Sequence, residues 1–145
     1  MGEPQVTVES VPGGGFRALS PRGAALFMDA AQEEGGAPGW QPVELLMAAL
    51  AGCMAMDVQR ILERSRAEPT AGRIAVRATE RSDELPGRPI LGFELTHNWE
   101  TQGGTEAVKR AIRLAAERYC TVQLTVQRGP RVSHRIQAIP GPPPG

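Results

Sequence analysis

Two side chains carry most of the chemistry that this sequence offers, the thiols of Cys53 and Cys120. Cys53 sits among very small residues, in Ala48-Ala49-Leu50-Ala51-Gly52-Cys53-Met54-Ala55-Met56-Asp57. Cys120 closes a second helical pattern, in Ala115-Ala116-Glu117-Arg118-Tyr119-Cys120-Thr121-Val122. A thiol attacks only as its thiolate. Free cysteine titrates at roughly 8.5, so activation needs a nearby cation, a helix N-terminus or a hydrogen-bond donor. Two lone thiols on two different helices suggest redox chemistry more than a fixed staple. The plainer alternative for each is a small apolar side chain filling core.

The neighbours of Cys53 bear on that choice. With a helix beginning at Pro42, Cys53 lies some three turns in, where the helix dipole offers it little. Asp57 stands one turn further on, and its charge raises a neighbouring thiol pKa unless an arginine neutralises it. Gly52 leaves the backbone beside the sulfur bare, which suits a local distortion or a close approach. Glu44 is the tempting acid/base partner. It precedes Cys53 by nine residues, which puts it on the opposite side of a straight helix and about 13 Å along the axis. The two meet only if the first turn is unwound or a second subunit supplies the carboxylate. Otherwise Glu44 reads as a first-turn carboxylate, favourable with the dipole.

Other chemistries find less support. Cys53, Cys120, His97 and His134 include no short ligand spacing of the kind metal sites show, so no metal is expected, and no cofactor is implied. Gly13-Gly14-Gly15 lacks the Lys-Ser/Thr and the following helix of a phosphate loop. No Gly-x-Ser-x-Gly elbow is present for a serine hydrolase.

The elements that must hold these residues follow from the patterning. Val6 and Val8 alternate with polar residues, Gly13-Gly14-Gly15 makes a turn, and 16–19 and 24–28 make two more short strands. Residues 31–39 form a Gly-rich loop. Pro42 opens a helix, where its missing N–H does no harm. Leu45, Leu46, Ala49, Cys53, Met56 and Ile61 mark its apolar stripe. Its first half is apolar nearly all round and is expected to be buried on all sides, with a partner subunit covering what one small domain leaves bare. Past Asp57 the helix becomes charged, with Arg60, Glu63, Arg64 and Arg66, and Pro69 and Gly72 end the segment. Ile74, Val76 and Ala78 set one strand, and Phe93, Leu95 and His97 share a face of the next, across a turn-rich linker at 82–89. After Gly103-Gly104, Thr105 is placed to cap a helix whose stripe is Val108, Ala111, Ile112, Ala115 and Tyr119. A last strand is expected over about 132–139, and a frayed Pro/Gly-rich tail over 140–145. Strand pairs with segregated helices predict an α+β fold in one domain over 1–139.

Composition narrows the partners. The chain has 145 residues and a formal net charge of zero. No basic patch argues for nucleic acid. The longest nearly apolar run, 45–56, is too short for a bilayer, so no membrane is expected. Two cysteines are no secreted disulfide framework, and the N-terminal residues do not read as a signal peptide. A cytoplasmic protein with reduced thiols is the expectation.

Over nearly the whole domain, about 6–139, the chain resembles the OsmC/Ohr family, the osmotically inducible and organic-hydroperoxide-resistance proteins. The resemblance rests on Pro42-Val43-Glu44-Leu45-Leu46, on 48–53, on Met56-Asp57-Val58 and Ile61-Leu62, on 117–122, and on Val132-Ser133-His134. The Met-Asp-Val and Tyr-Cys segments look most like its YhfA-like subgroup. The resemblance implies an intertwined homodimer, with two long central helices packed against outer sheets. It implies a thiol-dependent peroxidase acting on organic hydroperoxides and hydrogen peroxide in defence against oxidative stress. Cys53 matches the peroxidatic cysteine and Cys120 the resolving one, with an external dithiol as reductant. The sequence departs from the pattern in two places. The family's glutamate falls at Val43, with Glu44 one position later. Its activating arginine falls near Gly14 or Gly15, with Arg17 and Arg22 close by. Glu44 and Arg17 are the candidates for those two roles. A second reading keeps the fold and gives it to a stress-associated or small-ligand-binding protein without efficient peroxidase activity.

Overall fold

The computed structural model describes residues 5–28, 39–137 and 140–144. Its architecture is α+β. Strands β1 (Thr7–Ser10), β2 (Phe16–Leu19) and β3 (Ala25–Met28) precede helix α1 (Pro42–Arg64). Strands β4 (Ala71–Arg81) and β5 (Ile90–Glu100) follow, then helices α2 (Gly104–Leu114) and α3 (Thr121–Arg128), joined by a π-helical turn, Ala115–Tyr119.

β1, β2 and β3 form an antiparallel meander, with Thr7 opposite Leu19 and Phe16 opposite Met28. The Gly triplet makes its first turn with positive φ at all three glycines, a region in which a side chain is strained. One parallel bridge, Met28 to Trp40, ties the meander to the entry of α1. The expected Gly-rich loop lies largely outside the described residues.

β4 and β5 form a long antiparallel hairpin with bulges between Ala78 and Arg81. Ser82 closes its turn: the Ser82 Oγ accepts the backbone N–H of Leu85 at 3.0 Å. Gly72 pairs with Trp99, and a Cβ at Gly72 would lie 2.3 Å from the indole ring. The position needs glycine because the ring crosses over it.

α1 packs against β4, α2, the π-helical turn and α3. Its buried side chains are Leu50, Met54, Val58 and Leu62, one row at the four-residue spacing that keeps side chains on a common face. Met54, Val58, Leu62, Ala67, Ala111, Ala115 and Cys120 make the core. The expected stripe is therefore rotated: Leu46 and Met56 are exposed. A helix apolar on every side leaves its phase undetermined by periodicity. Nor is α1 buried all round, because one chain covers only one face of it. With 23 residues and a mean hydropathy of 1.5 over 18 of them, α1 has the length and composition of a membrane span, longer than the run 45–56 indicates. Within the chain it is the central helix around which the core is built.

Three further expectations change. α2 begins at Gly104, with Gly103 as its cap residue, so Thr105 lies inside the first turn. Gly103 is pressed between Ala67 and Ala107, where a Cβ would come within 2.8 Å of Ala67. α3 stands where no element was expected. The last strand is absent among the described residues: 131–137 carry no regular structure, and Val132 and Ile136 are 79% and 88% exposed. Their alternation is that of a strand, but a strand exists only with a ladder partner, and the described residues present none to it. The rest of that segment, 138–139, lies outside the described residues.

Candidate active site

The π-helical turn decides where Cys120 goes. Ala111 and Ala115 face the core one turn apart, and regular winding would send Tyr119 inward next. Instead the Cys120 N–H donates to the Ala115 carbonyl at 2.7 Å, a span of five residues. The extra residue rotates Tyr119 outward, to 57% exposure, and turns Cys120 into the core at 0%. Such single-turn widenings cluster at functional sites. Cys120 then takes an extended conformation and caps α3, whose Leu124 N–H donates to its carbonyl at 3.0 Å.

Cys53 projects from α1 toward the same place, half-buried and packed against the core cluster. The Cys53 sulfur, the Cys120 sulfur and an Asp57 carboxylate oxygen all lie within 4.8 Å of one another. The Cys53 thiol contacts Asp57 Oδ2 at 4.0 Å. Arg60 approaches the other oxygen of Asp57, Oδ1, at 3.6 Å, and so partly neutralises the charge beside the thiols. Both cysteines are free thiols.

Its burial governs the ionisation of Cys120. Burial pushes Cys120 up to about 11, because the core disfavours the thiolate. The neighbouring Cys53 and Asp57 add to that rise, and the Gln123 backbone N–H opposes it. At neutral pH Cys120 is therefore a protonated thiol. Beside the group runs a cleft of about 370 Å³ lined by Asp57, Arg60, Ile61, Arg64, Arg110 and Tyr119 among others. It offers arginines, a carboxylate and apolar wall, and it meets the group at Asp57.

Glu44 and Arg17 are held elsewhere. Glu44 closes a capping box at the start of α1, its Oε2 accepting the Gln41 N–H at 3.0 Å. The first turn is wound, so the carboxylate stays at the far end of the helix from Cys53. Arg17 lies on β2 and pairs with Glu9 across the β1–β2 ladder. Within one chain neither joins the two sulfurs. His97 is also separate: it accepts the Trp99 indole N–H on Nδ1 at 3.2 Å, and burial lowers its pKa. His134 lies in the exposed segment after α3. Asp57 stands where the sequence put it, one turn beyond Cys53, and Arg60 is the arginine that approaches it. Their signal is spacing alone, four residues from Cys53 and three from each other on one helix face.

Two thiols brought together by a core helix and a widened turn, on an α+β scaffold with two small sheets, define a dithiol protein. The chain belongs to the OsmC-like family: the model of the OsmC-like protein matches residues 34–135. Protein YhfA of Escherichia coli K12 is 28% identical over 138 residues, covering 93% of this chain and 98% of YhfA. The OsmC-like protein of Mycoplasma pneumoniae superposes with a TM-score of 0.73 at 16% identity, over 87% of this chain and 88% of that one. The organic hydroperoxide resistance protein OhrB of Bacillus subtilis superposes with a TM-score of 0.55 at 21% identity, over 88% and 92%. At such identities the two structures bear on the fold alone.

Proposed function

We propose that this protein is a thiol-dependent peroxidase in which Cys53 attacks and Cys120 resolves. The observation that carries the reading is the approach of the two sulfurs to within 4.8 Å from distant parts of the sequence. Their environments support the order. Cys53 is only half-buried, and its neighbour Asp57 lines a cleft, whereas Cys120 is buried and protonated. The Cys53 thiolate takes one oxygen of the hydroperoxide, the O–O bond breaks, and the other oxygen leaves as an alcohol or as water after gaining a proton. Cys53 becomes a sulfenic acid. The Cys120 sulfur then bonds to it, and the Cys120 proton leaves with the hydroxyl as water. An external dithiol reduces the disulfide by exchange. The substrates are organic hydroperoxides or hydrogen peroxide, the role is defence against oxidative stress, and the setting is the cytoplasm, where thiols stay reduced.

The working form in this reading is a homodimer. The uncovered apolar face of α1, the meander with its bare apolar side chains, and the unpaired segment 131–137 all favour a second copy as cover. That copy is also the route by which Glu44 or Arg17 reaches a Cys53. The test is peroxide consumption with a dithiol reductant, for wild type and Cys53→Ser. Wild type is expected to turn over with saturation and Cys53→Ser to fall to background; equal background rates in both would defeat the proposal.

A second reading, a stress-associated or small-ligand-binding protein without efficient peroxidase activity, is favoured by one observation. Glu44 is engaged in a helix cap and Arg17 in a pair with Glu9, leaving Cys53 without the expected activating pair in its own chain. A fast, saturable peroxidase reaction at neutral pH rules this reading out.

A further inference from the structure

Peroxide chemistry at two sulfurs calls for no carboxylate beside them, yet Asp57 is there. Its side chain is only 14% exposed, and its oxygen lies within 4.8 Å of both sulfurs. Once ionised, two thiolates and a carboxylate at this separation repel one another strongly. Arg60 offsets little of that, since it meets one oxygen at 3.6 Å from a side chain 55% exposed. A cation placed between the three groups removes the repulsion.

The donor set selects the kind of cation. Zinc binds thiolate at about 2.3 Å and carboxylate at about 2.0–2.2 Å, in tetrahedral geometry. The edges of such a tetrahedron are roughly 3.4–3.8 Å, so donors already within 4.8 Å of one another need to close by about 1 Å. Two sulfurs exclude magnesium and calcium, which take oxygen ligands. We propose that Cys53, Asp57 and Cys120 form a three-ligand site for a thiophilic divalent cation such as Zn2+, with water in the fourth position on the side of the cleft. Cys53 and Asp57 stand four residues apart in the middle of α1, and the third ligand, Cys120, comes from the end of the π-helical turn, distant in sequence.

The site shares its sulfurs with the redox reading but stands without it. Ligation uses both sulfurs as thiolates, and a disulfide offers neither, so metal and disulfide exclude one another. Oxidation of the loaded site by a hydroperoxide balances without a further reductant. The two sulfurs give two electrons and join, the O–O bond breaks, and the metal is released. The two oxygens leave as alcohol and water after taking two protons from solvent.

The experiment uses the reduced full-length protein, freed of reductant, with Zn2+ titrated against a chromophoric chelator and Co2+ as spectroscopic substitute. One equivalent of metal per chain is expected, with a sulfur-to-cobalt charge-transfer band whose intensity about halves in Cys53→Ser and in Cys120→Ser. Asp57→Asn is expected to weaken Zn2+ binding at least about tenfold while still forming the Cys53–Cys120 disulfide on oxidation. No uptake by the reduced wild type, or unchanged affinity in Asp57→Asn, overturns the proposal. Should Asp57→Asn fail to fold, an undiminished band in either serine variant overturns it as well. Lack of peroxide turnover with zinc uptake intact counts against the peroxidase and leaves the metal site standing.

Discussion

The helical body and the N-terminal meander are built from the same chain to opposite standards. Around α1 the side chains of Met54, Val58, Leu62, Ala111, Ala115 and Cys120 are at most 1% exposed. In the meander Val6 is 60% exposed, Val8 54%, Phe16 45% and Phe27 55%. The body thus has a core that closes on itself, with Cys120 part of it and Cys53 packed against it. Among the described residues the meander has ladders but little to pack on, and a three-stranded sheet needs an apolar face covered to persist. The dithiol therefore depends on one chain alone, whereas anything Arg17 contributes depends on what the meander is laid against.

The largest expected effect breaks the body. Leu62→Ala removes a buried side chain from the core row and is expected to cost about 2–5 kcal/mol of unfolding free energy, whatever the protein concentration. Phe27→Ala is the matching change in the meander. Its cost is expected to be small in dilute solution and to grow with concentration, because it falls on assembly rather than on the chain's own core. Denaturant melts of both variants across a hundredfold range of concentration check this. A concentration-independent loss in Phe27→Ala as large as that in Leu62→Ala would erase the contrast.

The second effect is electrostatic and belongs to Cys120. In the unfolded chain its thiol ionises in the ordinary range for cysteine, about 8.5–9, and in the folded chain at about 11. Between those values the unfolded state has lost a proton that the folded state keeps, so stability falls as pH rises through the window. The stabilisation is whole below pH 9 and is lost by about pH 11, an effect on the order of 2 kcal/mol. Cys120→Ala is expected to flatten that part of the stability curve. An identical alkaline decline in wild type and variant would mean that Cys120 is not the buried thiol responsible.

How far the sequence announces these two regions follows from what each residue pattern encodes. The meander, the entry of α1 at Pro42 and the β4–β5 hairpin are written locally, in alternation and in turn residues, and they stand where the patterns put them. Cys53 and Cys120 are also legible, as rare residue types in distinctive surroundings. The phase of α1 is not, because apolar residues on every side carry no direction. The π-helical turn is not legible either: Ala111, Ala115 and Tyr119 keep perfect helical spacing, and only the packing of α2 and α3 on α1 widens the turn and exchanges Tyr119 for Cys120. α3 was hidden for a related reason, since Val122, Leu124 and Val126 alternate like a strand while the chain winds as a helix. The segment 131–137 shows the converse, a strand pattern with no neighbour among the described residues to realise it.

The third effect concerns the far end of α1. Glu44→Ala removes the carboxylate that accepts the Gln41 N–H and is expected to cost about 1 kcal/mol. Glu44→Gln retains an acceptor and is expected to recover most of it. If a cap is all that Glu44 supplies, both variants reduce peroxide at the wild-type rate once compared at temperatures where each is folded. A rate loss in Glu44→Gln, with stability restored, would instead assign the carboxylate charge to the chemistry of a Cys53 in another subunit.

The smallest effect on stability tests the meander most directly. Arg17 and Glu9 form an ion pair on an exposed ladder, with side chains 44% and 43% exposed, and solvent screens such pairs to at most a fraction of a kcal/mol. Arg17→Ala is therefore expected to shift the unfolding free energy by less than about 0.5 kcal/mol. Because the fold is left intact, any change in the rate of Cys53 oxidation reports on position rather than on stability. An unchanged rate confines Arg17 to its pair with Glu9 and leaves Asp57 and Arg60 as the charged groups around the thiol. A rate that falls more than about tenfold, restored in part by Arg17→Lys, would mean that the meander of one chain is seated over the dithiol of another, since among the described residues of one chain Arg17 pairs with Glu9 and not with the sulfur.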